Sequence, residues 1–485
     1  MTESTVDVAI IGSGFSGIGM AIQLKKAGIK NFKILERAKD LGGTWRDNDY
    51  PGCACDVPSH LYSFSFEPNP NWPRKYSPYN EIFAYLKRCF DKHHLNNNTV
   101  FGADVTECSF DEHANEWVIK TASGDAHRAK YLVAGTGPLN KPLVPTFPGA
   151  DSFEGVSFHS SEWDHEYDLS GKNVAVVGTG ASAIQIVPSI ADKVGKLSLF
   201  QRTPPWVIPR WDREISKFEQ TLYKWVPPLR WLYRNLIYWY LEQSGMAFVT
   251  NIGAHKNVEK LARWHMKKAI SDPALREKVT PDYRIGCKRI LISDDYYPAL
   301  TRNNVDVITD SISKLDKTGI VTSDGKHHPV DAVIYGTGFA ATEFVTPMKI
   351  YGLEGKELGQ HWKHSAETLL GISTTGFPNF FFLVGPNTGL GHNSMVFMIE
   401  AQVHYIISCL KLMRRQNKSR VELKPEVQQA FSEQLQTKME KTAWMSGCKS
   451  WYLSADGKNY TLWPGFTVSY WFKTRKFNVE DYRFG

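Results

Sequence analysis

Apolar residues in this chain come in short runs that end at glycine rather than in long periodic stripes. The run Val6-Asp7-Val8-Ala9-Ile10-Ile11 stops at Gly12 and reads as a buried parallel strand. A helix is predicted from about Gly14 to Ala27, closed by Gly28, with the next strand at Phe32 to Leu35. Val174 to Val177, the helix after Gly180, and Leu197 to Phe200 repeat that order, so the chain carries two strand–helix–strand units. Phe110 to Lys120 and Ile308 to Val321 predict antiparallel meanders. Each leads into an apolar strand ending in Gly-Thr-Gly, at Tyr131 to Gly137 and at Ala332 to Gly338. The second half therefore repeats the first in outline. The fold class expected is α/β, with two Rossmann-like dinucleotide-binding domains.

Between the units, Ser216 to Thr280 is rich in Trp, Tyr, Leu, Lys and Arg and reads as a helical insert. The segment from Pro227 to Arg234 begins a basic, aromatic helix. It is read first as a core helix or as a cover over a substrate cavity, with contact to a membrane surface as a further reading.

Composition refines this picture in a few places. At 485 residues the chain is too long for one ordinary core. Aromatics make up 13% with 15 Trp, which fits large planar ligands or thick interdomain packing. The net charge of +7 comes without a dense Lys/Arg block, which argues against nucleic acid as a partner. Val174 to Ala191 and Thr368 to Ile399 lack formal charge, but their Gly, Pro and polar residues read as buried strand, turn and helix. No integral membrane segment is expected. The seven Cys include no C-x-x-C pair, and Met1-Thr2-Glu3-Ser4 is not a signal peptide. A cytoplasmic protein with reduced thiols is expected. Cys53 and Cys55 are read as buried small residues, and no metal is expected.

The glycine turns carry the chemistry. In Gly12-Ser13-Gly14-Phe15-Ser16-Gly17, the first glycine permits the tight turn and the second lets backbone approach a pyrophosphate. The third lets helix and strand pack closely, and the helix N-terminus offers free amides. Glu36 closes the second strand where a carboxylate accepts from both ribose hydroxyls and repels a 2′-phosphate, so this unit favours FAD or NAD. Gly42-Gly43-Thr44-Trp45 follows, with backbone and a planar wall suited to an isoalloxazine ring. In Gly178-Thr179-Gly180-Ala181-Ser182-Ala183 the third glycine is Ala, and the second strand ends in Arg202-Thr203 without an acid. Arg202 can pair bidentately with a 2′-phosphate, Thr203 can donate a hydroxyl, and Lys288 adds charge, which selects NADPH.

The residues between the units resemble a known family. Phe153-Glu154-Gly155, His159 and Trp163-Asp164 fit the F-x-G-x-x-x-H-x-x-x-W-[P/D] fingerprint of type I Baeyer–Villiger monooxygenases, class B flavoprotein monooxygenases. Gly42 to Asp56 fits their G-G-x-W-x-x-x-x-Y-P-G-x-x-x-D pattern. The resemblance continues in order through Lys288-Arg289, Gly336-Thr337-Gly338-Phe339 and Gly385-Pro386-Asn387-Thr388. It implies FAD and NADPH as cofactors and a small-molecule ketone and O2 as substrates. One oxygen atom enters beside the carbonyl, through a peroxide held at flavin C4a, to give an ester or lactone. Oxidation of amines or sulfides, or NADPH oxidase activity, is the alternative. By the same resemblance Arg289 is the active-site cation and Asp56 the acid that positions it. Tyr62, Val105 and Met395 join the flavin contacts, and Gln185 those of the nicotinamide cofactor. His159 and Trp163 are read as structural, in a segment that joins the two domains.

The expected boundaries are 1–140 and 341–485 for the FAD-binding domain, the latter with a substrate-side C-terminal region. The NADP-binding domain takes 141–215 and 285–340, with the helical insert at 216–284. A monomer or weak homo-oligomer is expected. Asp49 and Ala54 depart from the family pattern, where relatives often carry Arg. The substrate wall is expected from the insert, from Phe377 to Met398, and from Trp444 to Trp471.

Overall fold

Two sheets, the first mixed and the second parallel, organise the chain, each built around the strand that precedes a glycine turn. The computed structural model describes residues 5–485 except 251, 252, 254, 364, 449, 451 and 455; Met1–Ser4, read above against a signal peptide, lie outside the described residues. The first sheet has eight strands. Seven run in the order Lys349–Tyr351, Val105–Asp111, Glu116–Thr121, Ala126–Ala134, Val6–Ile11, Phe32–Glu36 and Thr99–Phe101, and Phe380–Phe382 also pairs with Ala126–Ala134. Val6–Ile11 is parallel to both neighbours, with Val8 opposite Phe32 and Ile11 opposite Ala134. Val8, Ala9 and Ile10 are at most 1% exposed, which is why the run is apolar on both faces.

The second sheet has five strands, in the order Val305–Ile308, Lys196–Phe200, Asn173–Val177, Ala332–Tyr335 and Val156–His159, all parallel. The segment expected only to join two domains thus supplies this sheet's edge strand, Val156–His159. The two meanders differ. The first is continuous with its sheet through Ala126–Ala134, whereas Ile312–Asp316, Gly319–Thr322 and His327–Pro329 form a separate three-stranded sheet.

The helix after the first glycine turn spans Phe15–Lys26 and packs against the long helix Met395–Arg415. With 21 residues the latter is long and apolar enough to cross a membrane by length and composition. It buries Val396, Met398, Ile399 and Ala401 in the main core cluster. The insert is helical, at Lys217–Trp225, Pro227–Ser244, Met246–Val249, His255–Ala269 and Pro273–Lys278.

One expectation is overturned. Cys287 and Cys448, 161 residues apart, are joined by a disulfide, which ties the residue before Lys288 to the C-terminal region. Pairing at such separation leaves no spacing signal to read. The expectation of reduced thiols is corrected at this pair, and the compartment argued from it loses that support. Cys53 and Cys55 are buried free thiols, and burial pushes Cys53 up to about 12.

Candidate active site and cofactor cradles

Both glycine turns form the same cradle. Gly12 has φ +95° and a Cβ there would lie 2.7 Å from the Gly135 carbonyl oxygen; Gly178 has φ +111° and would meet Gly336 O at 2.5 Å. Only glycine fits these close passages of backbone. The second glycines are different. A Cβ on Gly14 would find nothing closer than 3.8 Å, and one on Gly180 nothing closer than 4.0 Å, so protein packing does not require glycine at either place. Their Cβ atoms would instead fill the hollow over the helix N-termini. Neither Phe15–Lys26 nor Ala183–Ile190 has a side-chain cap or an acid in its first turn, which leaves amides free for phosphate. The chain's residues therefore fit two dinucleotides.

The strand ends are unlike each other. Glu36 is buried and its carboxylate accepts from the Ser13 N–H at 2.8 Å, the Ser13 hydroxyl at 2.7 Å, the Ala38 N–H at 3.0 Å and Arg46 at 3.1 Å. Arg46 is a partner that sequence reading missed. At the second unit Arg202 is exposed, and the Thr179 hydroxyl donates to Thr203 O at 2.9 Å. Burial, and then the charge of Arg202, lower the Lys288 ammonium below its usual value. Tertiary structure thus converges two cations from distant parts of the chain, as an anion site requires. Ala181 is exposed and Ser182 half-buried at the helix entry.

Around the first turn, the Gly42 N–H donates to Ser13 O at 3.0 Å, which lays Gly42-Gly43-Thr44 along the cradle. Trp45 donates from its indole to the Tyr62 hydroxyl at 3.2 Å, and Tyr62 packs edge-on against Phe15 at 5.1 Å. The helix carrying Met395 begins without a side-chain cap, and the preceding Ser394 hydroxyl is buried without a hydrogen-bond partner among the described residues. Val105 is placed differently. It is buried with Leu35 and Ile11 in a second core cluster, two residues past Ala103, whose N–H donates to Glu36 O at 2.9 Å.

The units meet at the loop Tyr50–Asp56. Gly52, at φ +82°, lets the second unit's helix approach, since a Cβ would fall 2.6 Å from Gln185 O. Tyr50 donates to the Gln185 side-chain oxygen at 2.9 Å, and the Gln185 amide donates to Ala54 O at 2.9 Å. Of the two departures from the family pattern, Asp49 pairs with His165 at 2.8 Å, and Ala54 offers that carbonyl. Across this contact Arg289 donates to Asp56 through Nε at 3.1 Å and through Nη2, while Nη1 lies 3.5 Å from Leu390 O. The Asp56 charge holds the Arg289 guanidinium above its ordinary value. Burial acts to raise the Asp56 carboxyl, but Arg289 outweighs it and the group titrates below its usual value. Arg210 reinforces this effect and donates to Cys55 O at 3.0 Å. No local signal marks Arg210, which reaches the site only through the fold.

Rings from three regions of the chain pack together. Phe248 of the insert stacks on Trp444 at 6.3 Å and on His392 at 6.5 Å. His159 takes no part. Its Nδ1 accepts from the Ser161 N–H at 3.2 Å, and its Nε2 faces Gly338 O at 3.0 Å, which makes Nε2 the protonated nitrogen. With both nitrogens engaged it anchors the Gly336-Thr337-Gly338 turn that follows strand Ala332–Tyr335, and Trp163 packs on Phe158 at 5.1 Å.

Comparison with known proteins agrees with this geometry. Residues 9–222 match the pyridine nucleotide-disulphide oxidoreductase family model. A Baeyer–Villiger monooxygenase of Pseudomonas aeruginosa is 48% identical over 477 residues, 98% of this chain and 90% of that protein. Another, of Streptomyces coelicolor, is 46% identical over 99% of this chain and 92% of its own length. Among solved structures, a cyclohexanone monooxygenase from Rhodococcus sp. Phi1 bound to NADP+ superposes with a TM-score of 0.89 at 26% identity, covering 100% of this chain and 99% of that one. An oxidised steroid monooxygenase bound to NADP gives 0.87 at 28% identity and 97% coverage of both chains. With paired glycine cradles, an arginine–aspartate pair between them and relatives of this closeness along the whole length, the chain belongs to the Baeyer–Villiger monooxygenase family.

Proposed function

We propose that this chain uses FAD and NADPH to insert one oxygen atom of O2 beside a ketone carbonyl, giving an ester or lactone. The observation that carries the reading is the Arg289–Asp56 pair, formed across the contact between the two cradles. FAD, when bound and reduced by NADPH, would supply the two electrons that activate O2, one atom of which enters the product and the other leaves as water; Gly12, Gly14, Gly17, Glu36, Gly43, Thr44, Trp45 and Tyr62 are the residues that would hold it. Among the described residues, Asp56 takes Nε and Nη2 of Arg289, and Nη1 makes a long 3.5 Å contact with Leu390 O. Nη1 is therefore the edge free to donate to a carbonyl oxygen that becomes anionic. A guanidinium stays charged at working pH, so it stabilises that oxygen without giving up a proton. Arg202 and Lys288 supply charge for the 2′-phosphate of NADPH.

The test is to reduce the purified flavoprotein with NADPH in air and assay a panel of ketones for esters by mass spectrometry. Arg289→Ala is expected to keep flavin reduction within about twofold while ester formation falls by about 10²–10³. Esters from Arg289→Ala at the wild-type rate would refute the role of Arg289. Steady peroxide or sulfoxide without any ester, from the wild type, would replace the reaction itself.

A further inference from the structure

The insert helix Pro227–Ser244 is apolar on two faces, and only one of them is covered. Inward, Ile237 and Tyr238 are buried. On that side Arg234 donates to His60 O at 2.7 Å, and Glu242 accepts from the Thr467 hydroxyl at 2.6 Å and the Val468 N–H at 2.9 Å. Outward, Trp231, Leu232, Leu236, Trp239 and Tyr240 are between 47% and 66% exposed. Leu232, Leu236 and Tyr240 follow one another at single-turn spacing, with Trp231 and Trp239 in the adjoining row, so they make one continuous stripe. The preceding helix, Lys217–Trp225, ends at the stripe's start in Trp225, which is 74% exposed. A surface helix normally turns polar residues outward. Here Arg234 and Glu242 point in and indoles point out, and neither a core helix nor a simple cavity cover needs that arrangement. Single exposed apolar residues are ordinary, but a contiguous stripe marks an interaction surface.

The charges beside the stripe indicate what it meets. Lys217 and Lys224 lie on the first of these helices, and among the described residues neither pairs with a carboxylate; Lys224 Nζ sits 5.6 Å from the Trp225 ring. The acids of the two helices are occupied. Glu219 is held by Arg213 at 2.7 Å and also accepts from Ser216, and Glu242 is buried. The outward surface therefore combines aromatic rings with cations and no free acid.

We infer that this stripe docks the enzyme on the surface of a bilayer containing anionic phospholipid. Trp and Tyr concentrate at the bilayer interface, and basic residues beside them are drawn to anionic headgroups. A contact between protein copies would instead favour a stripe without lysines at its margin. The chain's net charge of +7 has the sign the lipid requires. The helix lies on the membrane and does not span it, because Arg234 and Glu242 fasten its other face to the protein.

The experiment is flotation of the flavin-loaded enzyme with vesicles of phosphatidylcholine alone or with phosphatidylglycerol added. Binding is expected to the anionic vesicles, weakening as salt is raised and at least about tenfold weaker on neutral ones. The combined variant W231S, L236D, W239S is expected to lose about tenfold or more of that binding while keeping flavin absorbance, melting temperature and turnover of a water-soluble ketone. Lys224→Glu is expected to weaken binding to anionic vesicles only. Wild-type enzyme that floats with neither vesicle overturns the inference, as does a combined variant that floats like wild type. If neither protein floats and sedimentation velocity shows the variant converting a dimer to a monomer, the stripe belongs to a second copy of the chain and the inference fails.

Discussion

The two glycine cradles share a backbone and differ in what surrounds it. In both, a Cβ on the first glycine would clash with a carbonyl oxygen, at 2.7 and 2.5 Å, while one on the second would meet nothing closer than 3.8 Å. The third position separates them. A Cβ on Gly17 would sit 1.9 Å from Gly12 O, whereas Ala183 carries its Cβ in contact with Gly336. The first helix is thus drawn more tightly onto its turn. The strand ends carry the contrast further, since Glu36 is buried and held by four donors while Arg202 is exposed. A closed cradle with a prearranged acid suits a cofactor that stays. An open one with unshielded cations suits a phosphate-bearing ligand that comes and goes. The shared turn binds pyrophosphate in either case, and the residue at the strand end decides which dinucleotide enters.

Substitution at the third position gives the largest expected effect. Gly17→Ala places a methyl against backbone that cannot rotate away, and is expected to destabilise the fold by about 3 kcal/mol or more. Ala183→Gly, its counterpart, is expected to cost about 1 kcal/mol at most, from helix propensity alone. Denaturant melts of both variants read the difference, and equal losses would mean that the two helices pack alike.

Next in size is Arg202→Ala. Loss of a charge-assisted contact to the 2′-phosphate is expected to raise KM for NADPH by about tenfold to a hundredfold and to leave NADH use nearly unchanged. Steady-state kinetics with each nucleotide would show it, and a parallel rise for both would remove the 2′-phosphate from the account. Glu36→Gln keeps the shape but gives up charged acceptance from Ser13 and Arg46. A loss of about 1–3 kcal/mol, with weakened flavin retention, is expected in thermal melts and in the flavin-to-protein absorbance ratio. Unchanged NADPH kinetics in that variant would keep the two cradles distinct.

The smallest effect tests the place where the cradles share charge. Arg289 depresses the Asp56 carboxyl, so the stability this gives is fully present above the unfolded value of about 3.9 and is lost as pH falls through the lower folded value. The stability gap between wild type and Asp56→Asn is expected to stay constant from about pH 7 to 5 and to narrow below about pH 4. A gap that widens on acidification would contradict the depressed carboxyl.

Much of this was legible without coordinates. Both strand–glycine–helix units, the meanders and the insert follow from local pattern, because backbone hydrogen bonding and side-chain alternation act over a few residues. The helix expected from Gly14 to Ala27 spans Phe15–Lys26, and the strand expected to end at Leu35 runs one residue further. Resemblance named Arg289 and Asp56 as partners, but nothing between them in the chain gives their geometry. Arg46 on Glu36, Asp49 on His165, Arg210 near Asp56 and the Cys287–Cys448 bond carry no sequence signal, since each joins groups whose proximity depends on how sheets and loops dock.

By itself the sequence determined the two cradles, their unequal strand ends and the family fingerprints, because each is a short-range pattern of residue types. Only the tertiary structure decided that Arg202 and Lys288 converge, that Gln185 and Gly52 lock the units together, and that Arg289 turns Nη1 away from Asp56. It also decided that the aromatic insert helix faces outward. A pattern of apolar positions shows that a helix has something to bury, but which face meets the core and which is left for another surface depends on the rest of the fold.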